Sequence, residues 1–262
     1  MMHYESIKWY DRLWAACIFF TRLPFWHIHQ PRQEAYQCVV EFWPLTGWLT
    51  AGVMAGTLYG ASMVFPYEIA VVLAIISRLL LTGALHEDGL ADFSDGFGGG
   101  GSNRQRILDI MKDSHIGTYG VLALIVYMLL LFFALHSLPP QTAALTILAA
   151  DPYAKMASAQ VIQMMPYART AQTAKNKTVY RKYPLKAGIG VAMQGLLPIG
   201  LYLWWMQGII SWSTLIFLPC VTTSFLYILI WRRLKGYTGD CCGALCLLTE
   251  LTVYLVVSYH FA

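Results

Sequence analysis

The chain is 262 residues long, with 57% apolar or aromatic residues and 12% charged ones, against roughly 45–50% and 25% in an ordinary soluble domain. That balance, with a mean hydropathy of +0.52, excludes a disordered chain, a collagenous one and a polar repeat array. The formal net charge of +4 comes without a basic stripe interleaved with aromatics, so no nucleic-acid partner is expected.

Residues 7–20 read as a short helix with Trp9, Leu13, Ala16 and Phe20 on one stripe and Lys8, Asp11 and Arg12 opposite. It is too short and too charged to cross a bilayer, so an interfacial position is expected. Apolar runs follow at 40–64, 69–85, 119–137, 141–165, 187–207, 211–231 and 243–261. Each is near the ~20 residues that cross roughly 30 Å of hydrocarbon. The expected fold is therefore an all-α polytopic integral membrane protein, with about seven transmembrane helices plus the N-terminal interfacial helix, forming one membrane-embedded domain over 1–262.

The loops alternate in charge. Lys8, Arg12, Arg22 and Arg32 precede the first run, and Arg104, Arg106 and Lys112 lie between the second and third. Arg169, Lys175, Lys177, Arg181, Lys182 and Lys186 follow the fourth, and Arg232, Arg233 and Lys235 follow the sixth. The intervening turns at 66–68, 136–140 and 206–208 hold no Lys or Arg. The positive-inside rule then predicts a cytoplasmic N-terminus with every basic loop on the same face. The six cysteines lack paired metal-ligand spacing, which argues against a zinc site.

The segment His86–Gly96 crowds Glu87, Asp88, Asp92 and Asp95 at the end of the second run. On a helix, Asp88, Asp92 and Asp95 are three or four residues apart and share a face. Like charges so close repel unless protonated or bridged by a cation, and a hard divalent ion such as Mg²⁺ suits oxygen ligands. A solvated helix end is the plainer alternative. Asp109 and Asp113 repeat the one-turn spacing, with Arg104, Arg106 and Lys112 beside them to offset phosphate charge. A surface helix laced with salt bridges would read the same way. Asp151 and Lys155, one turn apart inside the fourth run, fit either a structural ion pair or a substrate contact. Asp240 brings one more carboxylate to the start of the last run, and Glu250 lies within it.

Acidic residues around a divalent ion, with Lys and Arg nearby, suit phosphoryl transfer, where a protein chiefly positions groups and stabilises charge. The chemistry resembles that of the CDP-alcohol phosphotransferases, whose Asp-x-x-Asp-Gly and later Asp-x-x-x-Asp are matched by Asp92, Asp95 and Gly96 and by Asp109 and Asp113. A closer resemblance covers nearly the whole chain. Thr21–Pro24, His86–Asp92 through Asp95-Gly96, Ile110–Ser114 with Gly117-Thr118, Tyr167–Arg169, and Thr238–Asp240 with Gly243-Ala244 are similar to the motifs of the cobalamin synthase (adenosylcobinamide-GDP ribazoletransferase) family. Lys112 and Lys155 stand where that family commonly has Arg.

The resemblance implies an Mg²⁺-dependent phosphotransferase of the bacterial inner membrane. Its partners would be adenosylcobinamide-GDP, α-ribazole or α-ribazole 5′-phosphate, and the lipid bilayer, with a homo-oligomer left open. A hydroxyl of the ribazole would attack the corrinoid-bound phosphorus and expel GMP, forming adenosylcobalamin or its 5′-phosphate. In this reading Asp88, Asp92 and Asp95 ligate Mg²⁺ with Asp240 as a further ligand. Asp113 is the expected general base, by analogy with the last aspartate of the CDP-alcohol pattern, with His86 the second candidate. Lys112, Lys155, Arg169 and Arg104 are the expected substrate-binding cations. The rival is a corrinoid or small-molecule permease, which would spread its carboxylates through the bilayer midplane.

Overall fold

The computed structural model describes residues 7–169 and 179–261, so Lys175 and Lys177 lie outside the described residues. The described chain is helical: α1 (Trp9–Phe20), 3₁₀ stretches at Phe25–His27 and Gln33–Phe42, α2 (Trp43–Ser62), α3 (Tyr67–Thr82), α4 (Leu85–Gly99), α5 (Arg104–Ile110), α6 (Thr118–His136), α7 (Pro140–Met164), α8 (Leu185–Trp205), α9 (Trp212–Leu234) and α10 (Gly239–Phe261). Of these, α2, α3 and α6 to α10 pack against one another as a bundle. One end is marked by Tyr67 Oη donating to the Leu135 carbonyl at 2.9 Å. The other is marked by the α4–α5 turn, where Arg104 Nε donates to the Leu234 carbonyl at 2.7 Å.

Five helices are long and apolar enough to cross a membrane, namely α2 with the 3₁₀ stretch before it, α6, α8, α9 and α10. The expected count of about seven becomes five or six by this measure, for two physical reasons. α3 has 16 residues, about 24 Å of helix. It qualifies only when joined to α4, from which it is bent by 89°. α7 has 25 residues, enough length, but it buries Asp151, Lys155 and Ser158 and so is not apolar throughout. α10 is the inner helix, with 78% of its apolar window buried against 28%, 22% and 28% for α6, α8 and α9. The outward Leu, Ile and Phe side chains of those three form the surface that lipid would cover.

The charges inside the bundle are paired, as the low dielectric requires. Arg78 Nη1 of α3 meets Glu250 Oε1 of α10 at 2.7 Å, its Nη2 donates to Tyr127 Oη of α6 at 2.7 Å, and Glu87 of α4 lies 3.7 Å away. Tyr254 donates to the same Glu250. Asp151 pairs with Lys155 one turn on, and Thr50 Oγ1 of α2 donates to Asp151 Oδ2 at 2.6 Å.

The bend between α3 and α4 is local chemistry. Gly83 sits at φ +64° and Ala84 at φ +54°, the left-handed conformation that ends a helix. The strand of chain after α1 docks there, with Arg22 N donating to the Leu81 carbonyl at 2.7 Å. α1 itself departs from the expected stripe. Ala16 and Phe20 are buried, but so are Asp11 and Ala15, while Trp9 is 62% exposed. Asp11 pairs with His29 at 2.6 Å and Arg12 with Glu41 at 2.7 Å, so charges expected in water hold the helix on the loop at His29 and on the Gln33–Phe42 stretch.

Candidate active site

α4 lies across the end of the bundle, and this orientation assembles the site. Its first turns touch the start of α10, and its last turn touches the start of α6 and the end of α9. The first crossing is nearly backbone on backbone. A Cβ on Gly89 would come within 3.2 Å of Asp240 Cα, and one on Gly243 within 3.1 Å of the His86 carbonyl oxygen. Small residues allow that approach, and it sets Asp88 and Asp240 on the wall of one cavity of about 110 Å³. Asp88 is exposed and Asp240 half-buried, so the cavity reaches solvent.

The opposite wall is aromatic: Phe19 and Phe20 from the end of α1, Trp43 from the start of α2, His86, and Tyr180. Phe20, Trp43 and His86 lie parallel. Ring centroids are 5.3 Å apart for Phe20–Trp43, 5.7 Å for Trp43–His86 and 6.2 Å for Phe20–His86, with interplanar angles of 10°, 4° and 9°. Trp43 Nε1 donates to His86 Nε2 at 3.2 Å. The imidazole nitrogen that would take a proton is therefore engaged, and His86 belongs to the wall of the cavity rather than to proton transfer.

Of the four expected metal ligands, Asp88 and Asp240 are brought together and Asp95 is not. Its carboxylate oxygens accept from Gly117 N at 2.7 Å and Gly120 N at 2.8 Å, so Asp95 caps the first turn of α6. Helical spacing put the three α4 aspartates on one face, but seven residues of helix is about 10 Å of rise. The two ends of the row thus meet different neighbours. Asp92 lies between them, half-buried. Among the described residues, no group of three or more His, Cys, Asp or Glu side chains is spaced to hold a metal ion unaided. The donor set does fit Mg²⁺, which is commonly held by one or two carboxylates with substrate phosphates and water completing the shell.

A second, basic groove of about 300 Å³ adjoins this end, lined by Arg104, Gln105, Leu108, Asp109, Lys112 and Arg169. Three of the four expected substrate-binding cations meet here. Arg104 also donates through Nη2 to the Ala168 carbonyl at 2.6 Å, and Arg169 through Nη2 to the Leu108 carbonyl at 2.7 Å. Arg169 Nε and Nη1 are buried without a hydrogen-bond partner. The groove is joined to the cavity by backbone pairing: Ala168 N donates to the Tyr237 carbonyl at 2.8 Å, and Tyr237 N to the Pro166 carbonyl at 3.0 Å. That pairing sets Tyr167–Arg169 beside Thr238–Asp240. The Tyr167 phenol is pushed up to about 12, by burial first and then by the negative charge of Asp240, so it stays neutral.

The fourth expected cation, Lys155, is not in the groove. It is buried at the α2–α7 contact, where it pairs with Asp151 and donates to Thr50 Oγ1 at 2.7 Å. Burial in the bundle resolves the ambiguity left by its spacing in favour of a structural ion pair. Asp113, the expected base, is exposed in the turn after α5 and lines neither the cavity nor the groove. His115 donates to it from Nδ1 at 2.7 Å, which holds its carboxyl below the usual aspartate range. The sequence did not mark Phe19, Phe20, Trp43 or Tyr180 as site residues, because aromatics beside apolar runs look like core. Only their arrival at one cavity distinguishes them.

The family model for cobalamin-5-phosphate synthase matches residues 12–258. The chain belongs to this family. Among its curated relatives, the adenosylcobinamide-GDP ribazoletransferase of Leptospira interrogans is 31% identical over 253 residues, covering 95% of each chain. The one from Vibrio cholerae is 35% identical over 246 residues, covering 92% of this chain and 91% of its own. The one from Shewanella frigidimarina is 32% identical over 266 residues, covering 96% and 97%. No solved structure matches. The matched span takes in both walls of the cavity and the whole basic groove, so the cobalamin-5-phosphate synthase likeness includes the site as well as the bundle.

Proposed function

We propose that this chain transfers the adenosylcobinamide phosphate moiety of adenosylcobinamide-GDP to α-ribazole or α-ribazole 5′-phosphate, releasing GMP and forming adenosylcobalamin or its 5′-phosphate. The observation that carries this reading is the meeting of Asp88 and Asp240 on one cavity beside the Arg104–Lys112–Arg169 groove, in a chain that belongs to the family along nearly its whole length. The groove supplies positive charge for the diphosphate of the donor and for the leaving GMP. The acceptor's hydroxyl oxygen forms the new bond to phosphorus and the bond from phosphorus to GMP breaks. The hydroxyl proton leaves to the departing GMP phosphate or to water, the cavity being open to solvent at Asp88.

Mg²⁺ is the proposed cofactor, with Asp88 and Asp240 as its protein ligands; when bound it would neutralise charge developing on the phosphate oxygens. A bacterial inner membrane with the N-terminus in the cytoplasm is proposed as the location, supported by the basic segments around the site end of the bundle. A permease reading finds less support, because the carboxylates within the bundle, Asp151 and Glu250, are tied up with Lys155 and Arg78. The test is GMP release by the purified full-length chain in lipid. GMP is expected only when both reactants and Mg²⁺ are present, and stops on chelation. GMP formed without acceptor, or unchanged by chelation, would remove the respective part of the reading.

A further inference from the structure

The parallel rings of Phe20, Trp43 and His86 are more than the catalytic chemistry above requires. A hydrophobic wall needs no common orientation, yet three rings from three separate elements lie within 10° of parallel. The Trp43 to His86 hydrogen bond locks two of them in register. All three rings are buried and line the void, and parallel rings along a cavity wall are a surface that a planar heteroaromatic group extends by stacking. At about 110 Å³ the void is too small for a macrocycle or for a whole drug-sized ligand. It takes a fragment: one flat ring system.

We infer that this platform seats the heteroaromatic base of the acceptor, and so selects which base is joined to the corrinoid. The inference rests on the reaction proposed above. Both reactants carry a flat base, the guanine of the donor and the benzimidazole of α-ribazole, and the shared chemistry is stacking. Distance along each molecule separates them. In the acceptor, the base and the attacking hydroxyl belong to the same ribose, so a base on the platform leaves its hydroxyl one sugar away, at the mouth of the cavity where Asp88 is exposed. In the donor, a phosphate and a sugar intervene between guanine and the phosphorus under attack. Guanine stacked here would carry that phosphorus beyond the cavity carboxylates.

The experiment uses the unaltered full-length chain in lipid, with free benzimidazole as the probe and GMP release as the readout. Benzimidazole is expected to inhibit competitively against α-ribazole and not against adenosylcobinamide-GDP. Phe20→Leu and Trp43→Leu are then expected to raise KM for α-ribazole about five- to hundredfold, the range that loss of one stacking partner implies. Donor KM and kcat should stay within about threefold. Competition against the donor, or a rise in donor KM alone, would assign the platform to guanine and overturn the inference. Absence of any inhibition by benzimidazole overturns it without recourse to variants that fold poorly. If the unaltered protein releases no GMP from the two reactants, the functional reading itself fails, a different outcome from misassigned stacking.

Discussion

Asp88 and Asp95 stand seven residues apart on one helix and do opposite work. Asp88 faces the cavity, whereas Asp95 holds two amides of α6 at 2.7 and 2.8 Å. Asp88→Asn is expected to cut GMP release about 10²–10³-fold while leaving the thermal midpoint in detergent unchanged. Asp95→Ala should cost about 0.5–2 kcal/mol of stability, as lost helix caps do, with turnover per folded molecule largely kept. Melting curves and assays on the same preparations check both. Asp113 offers a separate test. His115 lowers its pKa chiefly through the ring hydrogen bond, so His115→Ala should let the Asp113 carboxyl rise towards the ordinary aspartate value in a carbon-13 NMR titration. The sign follows from the depressed folded value. Whatever stability the pair adds is present above the usual aspartate range and is lost as pH falls through Asp113's own pKa. The acidic cluster was legible because four carboxylates at a span end are costly without a purpose. The division of labour within it was not, since periodicity gives the face of a helix and not which neighbour each turn meets.

At the scale of elements, the contact that matters most is α4 against α10. Gly89 and Gly243 were read only as letters of motifs, and their physical meaning is near-contact of two backbones. Gly89→Val should therefore push α10 away from α4, costing the ~1–3 kcal/mol of stability of an overpacked contact, read as a lowered thermal midpoint, and reducing activity more than it reduces folded protein. Gly52→Ala is the control, because nothing lies within 4 Å of a Cβ there. Hydropathy located α2, α6, α8, α9 and α10 well, since each is a long apolar rod. The second run, expected over 69–85, is the helix Tyr67–Thr82, and past its end the chain turns through 89° into α4. The left-handed pair Gly83-Ala84 looks innocuous in sequence, and an Ala at φ +54° has no propensity signal to announce it. α1 was misjudged for a related reason: Asp11 and Arg12 look like a solvent face until His29 and Glu41 are folded against them.

For the whole molecule, the two ends of the bundle differ in charge. Arg104, Lys112 and Arg169 gather at one end, with Arg233 donating to the Phe97 carbonyl at 3.2 Å beside them. The other end holds the pairing of His136 with Glu68 at 3.5 Å. α10 starts at the basic end of the bundle and finishes at the opposite one. Alkaline phosphatase, active only outside the cytoplasm, should be silent when joined after Lys112 and active when joined after Phe261. The reverse pattern would invert the proposed orientation. Charge asymmetry between loops was readable from the sequence because it is a sum over many residues. The cavity was not, because it needs six helical elements and the segment at Tyr180 to arrive at one point.

The cavity's depth has a kinetic corollary. It opens where α10 begins and α4 crosses the end of the bundle; were that end to meet the headgroup layer of a bilayer spanned by α10, a reactant adsorbed to the leaflet would reach it by sliding sideways through two dimensions. Encounter frequency is then governed by molecules per unit area of bilayer, and adding empty vesicles at constant bulk concentration dilutes such a reactant as surely as adding water dilutes a soluble one.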